Sequence, residues 1–168
     1  MSQAIIVMGV AASGKRTVGK ALAEHLGWHF FDGDDYHSPA NRQRMATGQP
    51  LADTDREPWL EQLHNLLVKE LTTRQSVVLA CSALKRSYRA KLTTDLENVK
   101  FVYLKGVIEI IRTRMEARPD HFMKPGMLES QFVDLEEPSD AIIPDIKPSV
   151  DLVVSQIVNE IGKQKSEI

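Results

Sequence analysis

AIIVMGVAASGKRT, residues 4–17, carries the most specific pattern in this chain. A largely β-branched apolar run, Ile5-Ile6-Val7-Met8, breaks at Gly9 into a loop of small residues, and an apolar helical pattern begins after Lys15, Arg16 and Thr17. That succession predicts a buried strand, a tight loop and a helix. Gly9 and Gly14 bracket a loop that can turn successive backbone N–H groups inward and form a concave anion site. The positive end of the following helix points at the same place, and Lys15 adds a mobile full charge for terminal phosphates. The expected occupant is a nucleoside triphosphate.

The match to G-x-x-x-x-G-K-[ST] has one defect. The position after Lys15 is Arg16, where the pattern places a hydroxyl for Mg²⁺. An arginine has only donors and cannot ligate a metal. Thr17 follows at once and keeps a hydroxyl near the phosphates, a weak metal candidate, so magnesium is expected to rest on water, phosphate and carboxylates from elsewhere.

With 168 residues, 42% of them hydrophobic and 26% charged, the chain fits one soluble globular domain with a substantial core. Its formal net charge of -2 gives no general attraction to nucleic acid or an anionic membrane. No apolar run has the length of a membrane span, and no secretory signal pattern precedes the first strand. The single cysteine, Cys81, lies in an apolar run and suits burial in a reducing compartment. A cytoplasmic location is expected.

Beyond Thr17 the helical spacing runs over residues 15–26, with Gly27 as its stop. Residues 28–31 read as a second strand ending in Asp32-Gly33-Asp34-Asp35. Ligands of open α/β sheets collect beyond the carboxyl ends of strands, where both the phosphate loop and these aspartates fall. Alone, the acidic run would be a solvated turn. Beside a phosphate loop it offers one carboxylate for the Mg²⁺ shell and one to accept a proton from an attacking hydroxyl. Asp32 is assigned to the metal, through water, and Asp34 to the base, although the residues alone allow the reverse.

Ser38-Pro39 signals entry into a short helix closed by Gly48-Gln49-Pro50, and Asp53 or Thr54 is expected to cap a longer one. Arg56 falls in the first turn of that helix, against its dipole. Either a substrate anion or a surface ion pair with Asp53 or Glu57 would compensate. Residues 76–81 read as a strand buried on both faces. Lys85 and Arg89, four apart, are expected on one helix face, to bind a carboxylate or stay solvated.

Residues 100–104 read as a fourth strand, 107–117 as a helix, 141–146 as a fifth strand and 150–161 as the last helix, leaving a frayed tail. Between them, residues 118–138 are punctuated by Pro and Gly and read as a lid, with His121 inside it. Arg114 or Arg118 would stabilise the charge on a transferred phosphoryl group, unless they only complement the helix C-terminus. The expected architecture is a single domain of three αβα layers around a five-stranded parallel sheet.

DGDDYHSPANRQRMATGQPLADTDREPWL, CSALKRSYR and HFMKPGMLESQF with LEEP closely resemble the gluconate kinases, small ATP-dependent sugar-acid kinases with the phosphate-loop kinase fold. The resemblance covers nearly the whole chain in order. It implies transfer of the γ-phosphate of ATP to the 6-hydroxyl of D-gluconate, with Mg²⁺, and commonly a homodimer. It implies that Gly9 and Ala11, Ala12, Ser13, Gly14, Lys15, Arg16 and Thr17 hold the phosphates, and that Lys15, Asp34 and Arg118 are catalytic. Arg56, Lys85 and Arg89 would take the gluconate carboxylate, with Asp34, His37 and His121 on the substrate side. Two departures stand out. The family loop usually reads Gly-Val-Ser-Gly-Ser-Gly-Lys-Ser/Thr, where this chain has Ala11, Ala12 and Arg16; and Asp120 replaces the glycine before His-Phe. The same residue types would also serve another acceptor, such as shikimate or a nucleoside monophosphate, or a nucleotide-binding module of weak turnover.

Overall fold

The computed structural model describes residues 1–117 and 126–166. The first strand, β1 (Ala4–Met8), is buried at every position and forms the middle of the molecule. Because side chains alternate across a strand, its residues divide between two cores. Ala4, Ile6 and Met8 pack with Trp59, Leu60, Leu63 and Leu67 of α3 (Asp53–Thr72) and with Tyr88 and Leu92 of α4 (Arg86–Leu92). Ile5 and Val7 pack with Val18 and Leu22 of α1 (Lys15–Leu26) and with Val153, Val154 and Ile157 of α7 (Val150–Ser166). Each fully buried Ile or Leu contributes roughly 1.5–3 kcal/mol, so the two faces together fix the sheet between helical layers.

The remaining strands are β2 (His29–Asp32), β3 (Val77–Ala80) and β4 (Val99–Tyr103), in the order β2-β3-β1-β4 and all parallel. Among the described residues four strands form the sheet, against the five expected. The segment read as a fifth reaches β4 only through a single bridge, Ile142 to Val102. Its N–H donates to Phe101 O and its carbonyl accepts from Tyr103 N–H, but Pro144 has no N–H to continue the ladder.

The helices follow the sequence in most places. Gly27 ends α1 in the left-handed conformation at φ 71°, as a glycine stop should. Ser38 Oγ accepts the Asn41 N–H and opens α2 (Pro39–Ala46) with proline at its first position. Three expectations shift. Helix α3 starts after Ala52 rather than from a capping Asp53 or Thr54, because Asp55 Oδ2 takes the Ala52 N–H at 2.8 Å. Lys85 is the residue before α4, so it does not share a helix face with Arg89. The tail is helical to Ser166, supported by a hydrogen bond from Lys100 Nζ to Gln164 and by the Lys163–Glu160 pair. Helices α5 (Ile108–Glu116) and α6 (Gly126–Asp134) complete the elements of the described residues. Of the segment expected as a lid, residues 118–125, with Arg118 and His121, lie outside the described residues, while Met127 and Leu128 of α6 are buried under the phosphate loop. Among the described residues no helix is long and apolar enough to cross a membrane.

Candidate active site

The loop after β1 turns as its small residues allow. Gly9 has φ 150°, and a Cβ there would lie 2.7 Å from Ser13 Oγ, so glycine is required by both conformation and space. Gly14, at φ 100°, leads into the N-terminus of α1. Lys15 Nζ donates to Val10 O at 2.9 Å, which holds the ammonium across the loop. Ser13 Oγ is buried and has no hydrogen-bond partner among the described residues. An open cleft of about 320 Å³ continues from the loop, lined by Ser13, Thr17, Arg114, Ile146, Pro148 and Val150. Thr17 therefore faces this cleft, and Arg114 borders it while donating to Ile146 O at 3.3 Å.

The carboxylates stand at the neighbouring strand end. Asp32 is buried at the end of β2, and its Oδ1 accepts the Asp34 N–H at 3.0 Å, which winds residues Gly33–Tyr36 into a single 3₁₀ turn. Gly33 lies against β3 so closely that a Cβ would meet Ala80 O at 2.8 Å. That close approach presses the acidic turn onto the carboxyl end of β3. Burial, and then the Asp34 charge, raise the Asp32 carboxyl above the usual carboxylate range. Arg16 Nε lies 3.7 Å from Asp32 Oδ2 on the exposed side. Cys81, just beyond β3, is buried and its thiol is pushed up to about 12, chiefly by burial; Asp34, Lys15 and Asp32 all act on it electrostatically. The three charges thus converge on one strand end, and Cys81 itself is a packing residue there.

Against the acidic turn stands a wall assembled from distant segments. His37 is buried and stacked on Trp59, with ring centroids 4.1 Å apart and planes at 15°. Trp59 is anchored by its Nε1–H, which donates to Gly33 O at 2.7 Å. Burial above all, with help from Arg56 and Arg42, lowers the His37 pKa to about 4 against the pull of Asp34, so the ring is neutral at physiological pH. Its Nδ1 is buried without a partner among the described residues. Arg56 is buried too, and not in the surface ion pair considered from sequence: its Nη1 donates to Tyr88 Oη at 2.7 Å and lies 3.4 Å from Asp134 Oδ2. Tyr88 in turn donates to Asp53, which also accepts from Lys85 Nζ at 3.1 Å.

Asp34, His37, Arg56 and Lys85 are brought into this one electrostatic network, but Arg89 takes a different part. It is buried, and its guanidinium donates to Ala83 O at 2.7 Å, Leu84 O at 3.1 Å and Glu136 O at 2.8 Å. These bonds tie the turn after β3 to the chain beyond α6, so Arg89 supports main chain where a contact with a substrate carboxylate was expected. Trp59 and Tyr88 were missed as site residues: each sits at an apolar position of a helical pattern, and only the long-range partner distinguishes it from core. Gln131 left a signal, an uncharged polar residue in register with Met127 and Leu128, and its Oε1 accepts the Ala11 N–H at 2.7 Å.

The sequence matches the family model described as shikimate kinase over residues 11–161. It is 42% identical to a probable gluconokinase of Xenopus tropicalis, over 95% of this chain and 94% of the relative. A probable gluconokinase of Mus musculus is 49% identical over 80% of this chain and 83% of its own. The crystal structure of a gluconokinase from Sinorhizobium meliloti superposes with a TM-score of 0.85 at 37% identity, covering 98% of this chain and 94% of the other. Loop, acidic turn and wall thus stand in a chain that belongs to the gluconokinase family of phosphate-loop kinases.

Proposed function

We infer that this chain transfers the γ-phosphoryl group of ATP to the 6-hydroxyl of D-gluconate, giving ADP and 6-phospho-D-gluconate. The observation that carries the reading is the convergence of Lys15, Asp32 and Asp34 on one strand end, opposite a wall that carries the Arg56 and Lys85 cations. ATP phosphates lie on the loop N–H groups and Lys15, with the nucleoside toward Thr17, Arg114 and the apolar cleft. The gluconate carboxylate pairs with Arg56 and Lys85, and its hydroxyls meet the neutral His37 ring. Asp34 accepts the proton of the 6-hydroxyl as that oxygen bonds to the γ-phosphorus; the bond from the γ-phosphorus to the β,γ-bridging oxygen breaks, and ADP leaves with the electron pair. Arg118 and His121, the lid residues that the resemblance implies, would add a cation for the transferred phosphoryl group and a substrate contact.

The donor set suits magnesium. Mg²⁺ in kinases keeps much of its water and needs only one or two carboxylates besides the phosphates, and Asp32 would supply one through water without a protein cage. Asp32, desolvated and crowded by Asp34, gains from a cation beside it. When bound, the ion would neutralise charge on the β- and γ-phosphates. Arg16 occupies the exposed flank of Asp32 and competes there with the metal.

The reading is tested by ADP release with ATP and Mg²⁺, offering D-gluconate, shikimate and AMP in parallel. Gluconate-dependent turnover is expected. Preference for either of the other acceptors would reassign the wall.

A further inference from the structure

The phosphate loop is held in a conformation that its own residues resist. Ala12 has φ 60°, the left-handed region that any residue with a Cβ disfavours. Such a conformation persists only where its surroundings over-determine it. Apolar packing supplies part of the constraint: Val10, Ala11 and Ala12 are buried against Met127 and Leu128 of α6. Packing resists displacement but does not orient a peptide plane. The directional contact is the one from Gln131, itself buried, whose side-chain carbonyl takes the Ala11 N–H. Helix α6 is held in turn at both flanks, through Arg112 to Glu129 and through Asp134 to Arg56, so this carbonyl sits on a fixed support.

We propose that Gln131 is a positioning residue for phosphoryl transfer: by holding the Ala11 N–H it sets the left-handed turn at Ala12 that aims the following loop amides at the phosphates. The inference rests on reading residues 9–17 as the nucleotide cradle. It makes the loop dependent on a helix about 120 residues away in sequence, as the hydrogen bond separation records.

The test is a double-mutant cycle between Gln131→Met, which removes the acceptor at nearly constant volume, and Ala12→Gly, which removes the Cβ that resists φ 60°. Magnesium-ADP binding to the full chain is read by calorimetry, together with KM for gluconate. Gln131→Met is expected to weaken ADP binding about 5- to 10-fold, the range of one buried hydrogen bond, with KM for gluconate changed less than about twofold. In the Ala12→Gly background the same substitution is expected to weaken ADP binding only about twofold, because glycine adopts the turn without help. Equal losses in both backgrounds, or no loss in either, would overturn the proposal. Should Gln131→Met fail to fold, Gln131→Asn, whose amide stops one methylene short of Ala11, is read in its place with the same expectations. Failure of the unsubstituted chain to bind magnesium-ADP would overturn the cradle reading itself, and the proposal with it.

Discussion

In the proposed reading, residues 9–17 build the nucleotide half of the cleft from consecutive positions, with backbone amides, a helix end and Lys15 aimed at one place. The opposite half is gathered from the 3₁₀ turn, α3, α4 and α6: Asp34 and His37 meet Arg56, Tyr88, Lys85 and Asp134 through contacts that span up to 78 residues of sequence. The first half depends on local chain geometry and one distant contact, Gln131 to the Ala11 N–H, and the second on whether several distant elements dock correctly. Their sensitivities should differ accordingly. Damage to the wall away from Gln131 should leave nucleotide binding intact, whereas damage to the loop should weaken it first.

The strongest blow to that separation falls where the halves meet. Asp34→Asn keeps size and polarity but removes the proton acceptor, and kcat is expected to fall about 10²–10⁴-fold with ADP binding unchanged. Steady-state kinetics with calorimetry would show it; a parallel loss of ADP affinity would mean that Asp34 serves the nucleotide rather than the hydroxyl.

His37 sharpens the contrast through pH. Its pKa is lowered from 6.5 to about 4 in the folded chain. Between those values the unfolded chain takes up a proton that the native state refuses, so stability falls as pH drops through that window, by on the order of 3 kcal/mol. Above about 6.5 the group contributes no pH dependence, and below about 4 nothing further is lost. Asp32 works in the opposite sense, since its raised carboxyl lets the native state bind a proton before the unfolded chain does. The readout is therefore the difference between the unsubstituted chain and His37→Gln in chemical denaturation from pH 7 to 4. A flat difference would show that the stacked ring is not held neutral.

Arg56→Lys should act on the wall alone. A lysine keeps the charge but cannot reproduce the guanidinium's bond to Tyr88 while facing Asp134. The expected loss is about 10- to 50-fold in kcat/KM for gluconate, with KM for ATP within about twofold. The smallest effect belongs to the loop: Arg16→Ser frees the exposed flank of Asp32, and half-saturating Mg²⁺ should fall about 3- to 10-fold. An unchanged magnesium titration would separate Arg16 from the metal.

The same contrast explains what could be read from the sequence. Strand, loop and first helix were legible because each signal is local: β-branched residues, glycines at fixed spacing, and a lysine at the helix start. The acidic turn was legible because Asp32 and Asp34 follow the second strand directly. Arg56 was visible as a cation in an unfavourable helical position, but its partner was not, because Tyr88 lies 32 residues away. Arg89 carried the signature of a surface cation and proved to hold three carbonyls, a use of charge that periodicity cannot register. The fifth strand failed on one residue: apolar character at Ile142 and Ile143 promised a ladder that Pro144 cannot extend.

The most direct test of the account is phosphorus NMR of the products formed from ATP, Mg²⁺ and D-gluconate. A phosphomonoester on C6 of gluconate is expected, appearing mole for mole with ADP, and about 10²–10⁴-fold more slowly in Asp34→Asn. ADP accompanied only by inorganic phosphate, or a phosphate ester formed faster on shikimate than on gluconate, would contradict it.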